Sequence, residues 1–184
     1  MPLSRRRVTD PAALRALAHP VRLALLELLA GHGAHTATQA ATVLGQTPAN
    51  CSWHLRRLAE HGFVREVSGA PGRNRPWRVV SEGLAWGDPD DNPADAALTD
   101  VLLEREQQRL RAARAAGPSE PEEWRGVTTV QHVTSRLTPH QARELGRRIT
   151  ELLGEYADSS DPGARPVSVV AWLAPLAPAG SQPA

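Results

Sequence analysis

Residues 36–62 read TATQAATVLGQTPANCSWHLRRLAEHG, and their reading decides the fold. Thr36 is placed to cap a short Ala-rich helix that Gly45 closes. Thr47-Pro48 repeats the start signal, a capping hydroxyl followed by the one imide that the first helical position tolerates. The next helix runs until Gly62. Gly45-Gln46-Thr47 is all that separates the two, and helices joined by so short a turn containing Gly form a helix-turn-helix. At 100° per residue Cys51, Leu55, Leu58 and Ala59 share the packing face of the second helix. Ala49, Trp53, Arg56, Arg57 and Glu60 lie opposite, with Asn50, Ser52 and His54 on the flanks.

The flanking sequence completes the unit. Upstream, Asp10-Pro11 opens one short helix with Ala13, Leu14 and Leu17 on its apolar face. His19-Pro20 interrupts it, because the residue before Pro is pushed out of helical geometry. PVRLALLELLAG then carries Val21, Leu25, Leu28 and Leu29 at helical spacing. Downstream the period changes. FVREV (63–67) and WRVV (77–80) read as two short strands around the turn SGAPGRNRP. A hairpin directly behind a helix-turn-helix makes a winged helix, an order more specific than any of its parts.

Beyond residue 86 an acidic stretch leads into one long helix over 94–116, with its larger apolar residues Leu98, Val101 and Leu102 in the first half. Its charged second half is expected to project or to pack on a partner. VTTVQHVTSRLT (127–138) and RPVSVVAWLAPL (165–176) read as strands on either side of an amphipathic helix carrying Ala142, Leu145, Ile149, Leu152 and Leu153. The expected fold is mainly α with a small β-wing, plus a small α+β C-terminal lobe in which Trp124, Tyr156 and Trp172 are core or, alternatively, line a pocket for an apolar ligand. The expected divisions are a flexible basic arm (1–9), the winged helix-turn-helix (10–86), a linker and dimerisation helix (87–118), the lobe (119–176) and a disordered tail (177–184).

Composition narrows the function. Residues 1–80 carry 11 Arg against 4 acids, and residues 81–184 carry 10 Arg against 16 acids. Their nets of +7 and −6 sum to the formal +1. A basic module that meets an anion is thus joined to an acidic one that does not. No apolar run approaches the roughly 18 residues that cross a bilayer, and MPLSRRRVTDPAA lacks the apolar core of a secretory signal. The expectation is a cytoplasmic protein. The single Cys51 excludes an intrachain disulfide, and its place on the packing face marks it as core filler. There is no Gly-rich phosphate loop, nucleophile elbow or complete metal-ligand set, so no enzyme, cofactor or metal is expected.

A surface helix with small residues near its start, then Ser, Trp, His and two Arg, suits the major groove of DNA. Asn50 is suited to adenine, Ser52 and His54 to phosphate or base edges, and Arg56 and Arg57 to phosphates or a guanine. On the hairpin, Arg73, Arg75 and Arg78 suit the narrow minor groove. Arg5-Arg6-Arg7 would serve as a phosphate-binding arm.

ALRALAHPVRLALLELLAGHG, the 36–67 stretch and GRNRPWRV together resemble the winged-helix domain of the arsenical-resistance repressor (ArsR) family. The resemblance rests on His19-Pro20-x-Arg22, Ser52-x-His54-Leu55-Arg56-x-Leu58 and Gly62-Phe63-Val64, and covers about residues 10–84. It implies a dimeric bacterial transcription regulator, with Asn50, Ser52, Trp53, His54, Arg56 and Arg57 as recognition-helix contacts and Arg73 and Arg75 as wing contacts. The thiol pair with which many members bind metal is absent from TATQAATVLG, and residues 94–116 hold no His. The expected protein is therefore a homodimeric repressor on a palindromic operator, controlled by an unidentified small-molecule effector. It would dimerise through its first and long helices, burying Leu98, Val101 and Leu102. The alternatives are a winged-helix module that binds protein instead of a DNA sequence, and a metal-sensing repressor.

Overall fold

In the computed structural model the described residues are 5–68, 75–80, 83–87, 92–156, 161 and 163–176. They fall into two compact units that divide after Thr129. Asp10, Thr36 and Thr47 cap the helices that the sequence assigns to them, and His19, which reads only as an interruption, caps another. In α1 (Pro11–Leu17) the Asp10 carboxylate accepts from the amides of Ala12 and Ala13. In α2 (Pro20–His32) the cap is His19, whose Nδ1 accepts the Val21 N–H at 3.2 Å. For α3 (Ala37–Leu44), Thr36 and Gln39 bond reciprocally, satisfying two otherwise orphaned amides. Thr47 Oγ1 accepts from the Asn50 amide at the start of α4 (Pro48–Glu60).

Gly45 joins α3 to α4 at φ +63°, and a Cβ there would meet nothing within 4 Å. Only backbone strain opposes a side chain at this turn. Gly45→Ala is therefore expected to lower stability by about 1 kcal/mol, read as a shift in the denaturant midpoint.

After α4 come β2 (Val64–Glu66) and β3 (Trp77–Val79), an antiparallel pair in which Arg65 stands opposite Arg78. Two backbone hydrogen bonds between His35 and Trp77 tie β3 to the loop before α3, so the wing is anchored at its base. Leu14, Leu17, Leu25, Leu29, Leu55, Leu58, Cys51 and Val64, from α1, α2, α4 and β2, are fully buried. The fold is mostly helical, with the small hairpin behind the helix-turn-helix.

Several expectations are corrected. Residues 5–7 are no flexible arm. They form β1 (Arg5–Arg7), parallel to β4 (Gly83–Ala85). Arg6 donates to the His61 carbonyl at 2.7 Å with its guanidinium 4.7 Å over the Phe63 ring, and Arg7 donates to the Gly87 carbonyl. A run of three Arg reads as solvated, but the chain returning after the wing offers it an unpaired backbone edge.

The long helix is α5 (Pro93–Ala116). Leu98 was expected to be buried by a second subunit, yet it is 0% exposed within this chain, where α5 packs along α1. Val101 packs against the same core, and Leu102 is half-buried. The charged second half does not project freely either. Arg105 and Arg109 converge on the Glu27 carboxylate of α2 at 2.6 and 2.7 Å, and Arg105 also donates to the Pro20 carbonyl. Arg109 pairs in addition with Glu106. No described helix is long and apolar enough to cross a membrane.

The second unit starts at residue 130, so 119–129, including half-buried Trp124, belong with the first. Its one helix among the described residues is α6 (Pro139–Glu155), begun by a capping box between Thr138 and Gln141. The flanking segments 127–138 and 165–176 are not strands, although their β-branched residues predict them. Neither finds a ladder partner among the described residues. A strand exists only through such a partner, and local propensity does not supply one. Tyr156 and Trp172 are exposed, at 81% and 72%, and are not core.

Candidate nucleic-acid interface

Helix α4 is held from behind and open in front. Cys51, His54, Leu55 and Leu58 recur at i, i+3, i+4 and i+7, and all four are buried. Burial pushes the Cys51 thiol pKa up, as expected of an inert core thiol. Trp53 (55% exposed), Arg56 and Arg57 stand on the outer side. Arg57 bonds Glu60 at 2.6 Å, and Arg56 Nε donates to the Ser52 carbonyl at 3.3 Å. An exposed i,i+3 pair holds little energy, so both guanidinium groups can be redirected to an anion. Near the N-terminus the Asn50 amide donates to Gln46 Oε1 at 2.8 Å, which orients it across the turn, and Ser52 is half-buried.

His54 is the correction in this set. It is 4% exposed, with its ring 4.5 Å from that of His19 and edge-on to Trp53 at 4.8 Å. It occupies the i+3 place of the buried stripe, so it has little surface left for a base edge or phosphate. Desolvation first, then the neighbouring His19 and Arg22, push its pKa down to about 4. His19 is lowered by burial and by Arg22. The His54 Nδ1 and Arg22 Nε atoms are buried with no hydrogen-bond partner among the described residues. His19 before α2 and His54 of α4 thus meet ring to ring, and the Trp53 ring lies edge-on against His54.

On the hairpin, Arg75 pairs with Glu66 at 3.3 Å and Arg78 is exposed. Arg73 lies outside the described residues. Arg65 was missed by the sequence reading. The register sets it directly opposite Arg78, on the face turned away from buried Val64 and Trp77. Like charges directly opposite destabilise a ladder, so the pair is better suited to an anion than to an isolated sheet. The alternation in FVREV carried this signal, but only the register pairs the two arginines.

A cleft of about 180 Å³ opens behind the wing between Leu23, Leu26, Phe63, Val79, Leu84 and Leu102, with Arg6 and Glu27 at its polar edge. Among the described residues no three His, Cys, Asp or Glu side chains converge as metal ligands.

A family model described as a helix-turn-helix domain matches residues 17–67, which span α2, α3, α4 and β2. No curated protein matches the chain. The chain carries a helix-turn-helix DNA-binding domain of the kind found in transcription regulation.

Proposed function

We propose that this protein is a sequence-specific transcription regulator, a homodimeric repressor of the ArsR-like kind acting on a palindromic operator. The observation that carries the reading is the exposed Trp53–Arg56–Arg57 face of a helix whose other side is locked into the core. Arg65 and Arg78 on the adjoining hairpin support it. Asn50 and Ser52, near the positive N-terminal end of α4, approach base edges, and Arg56 and Arg57 read a guanine or clamp phosphate. Arg65, Arg75 and Arg78 follow the backbone. His54 contributes by position and not by contact. Two such helices in a dimer fall roughly 34 Å apart, one turn of duplex. The cleft behind the wing is the place for an effector, since it touches Phe63 and Val79 of the wing region and Leu102 of α5 together. A ligand there shifts DNA affinity only by preferring one wing position.

Selection of bound genomic fragments followed by footprinting tests this reading. A symmetric enriched site is expected. Arg57→Ala should weaken binding to it by about 1–3 kcal/mol and relax one base preference, whereas Arg78→Ala should weaken all sequences alike and reduce the salt slope by about one unit. Exposed Trp53 favours one second reading, a protein-binding module. In that case no sequence is enriched and binding to DNA is only non-specific.

A further inference from the structure

Helix α6 is amphipathic, and none of its residues is buried. At 100° per residue Ala142, Leu145, Gly146, Ile149, Leu152, Leu153 and Tyr156 fall within roughly a third of its circumference. One edge of this stripe is covered. Leu173 Cδ1 lies 3.6 Å from where a Cβ on Gly146 would stand, so the segment after α6 crosses on that side. The other edge, Leu145, Leu152 and Tyr156, is exposed, with Leu152 at 54% and Tyr156 at 81%.

The charges on α6 are also ordered against its own dipole. Arg143, Arg147 and Arg148 precede Glu151 and Glu155, with no acid in the first turn and no base in the last. A helix alone prefers the reverse. Arg147 is satisfied locally by Glu144 and Glu151, which also holds the Glu144 carboxyl below its usual pKa. Arg148 and Glu155 make no ion pair among the described residues. Both flank the open Leu145–Leu152–Tyr156 edge. A second α6 laid antiparallel brings Arg148 of each copy toward Glu155 of the other and opposes the two dipoles. Residues 130–176 carry five Arg and five acids, so two copies do not repel.

We propose that this edge of α6 is a self-docking surface. Two copies of the chain pack α6 antiparallel over Leu145, Leu152 and Tyr156, with Arg148–Glu155 pairs on the flanks. This deepens the homodimer part of the reading above and needs no DNA.

The test is the mass of the full-length chain in solution, by sedimentation and native mass spectrometry. The wild type should be a dimer. Leu152→Glu should be a monomer with unchanged circular dichroism, because Leu152 is already exposed. Arg148→Glu and Glu155→Arg should each weaken the dimer by about tenfold or more, since each puts like charges face to face. Mixing these two variants should restore dimers, and these should be heterodimers. A monomeric wild type, a Leu152→Glu dimer of undiminished affinity, or a mixture without heterodimer preference would each overturn the proposal. A dimer that selects no DNA sequence would sink the repressor reading alone.

Discussion

Leu98→Ala is expected to lower the unfolding free energy by about 2–5 kcal/mol, the usual cost of emptying a fully enclosed leucine site. Leu98 has no exposed surface in the single chain, and α5 packs along α1 beside the fully buried Leu14 and Leu17. The first turns of α5 are thus part of the winged-helix core. Urea unfolding at two protein concentrations checks this. The loss should be the same at both, because the contacts are within the chain. Leu103→Ala, on the exposed side of the same helix, is the control and should cost well under 1 kcal/mol. If the Leu98 loss vanished on dilution, Leu98 would be an intersubunit residue and the packing of α5 on α1 would be wrong.

The second large effect is acid sensitivity between about pH 6.5 and 4. The folded state holds His54 near a pKa of 4, against about 6.5 for a free imidazole. Above pH 6.5 both states are neutral at this site and stability is full. As pH falls, the unfolded chain takes up a proton that the folded chain refuses, so stability drops until the folded pKa is reached. The sum is of order 3 kcal/mol for one such group. His19, also lowered, acts in the same direction. His54→Leu removes both the titration and the buried Nδ1 that lacks a partner. Its stability, followed by urea unfolding at pH 7 and pH 5, should fall less between the two than the wild type's. An equal fall in both would show that the His19–His54 contact is not the source.

The helices and the hairpin of the first unit were legible because their signals are local, whereas β1 and β4, which pair across some eighty residues of chain, were not. Asp10, Thr36, Thr47 and Gly45 act on backbone groups a few residues away, and each is found doing so. The outer face of α4 was legible for the same reason, since helical spacing alone separates Trp53, Arg56 and Arg57 from Cys51, Leu55 and Leu58. His54 was misjudged although Cys51, His54, Leu55 and Leu58 form an unbroken buried stripe. Its polarity suggested surface, but the stripe only needs a side chain of the right size, and desolvation beside His19 and Arg22 keeps the ring neutral there. Arg65 was missed because its meaning depends on standing opposite Arg78, and strand register is not written in either strand alone.

The sequence by itself determined the helix-turn-helix, the hairpin behind it and the basic charge of that half, all of which follow from caps, periodicity and counting. Tertiary structure decided what those elements touch. It drew Arg6 onto Phe63, closed Leu98 inside the chain and joined Arg105 and Arg109 to Glu27. In the second unit it left α6 with one apolar edge open and 127–138 and 165–176 without ladders. The physical reason is range. A cap or a helical period is satisfied within a few residues. A contact partner is chosen among all the surfaces that folding brings within reach, and β-branched residues without such a partner remain a propensity and not a sheet.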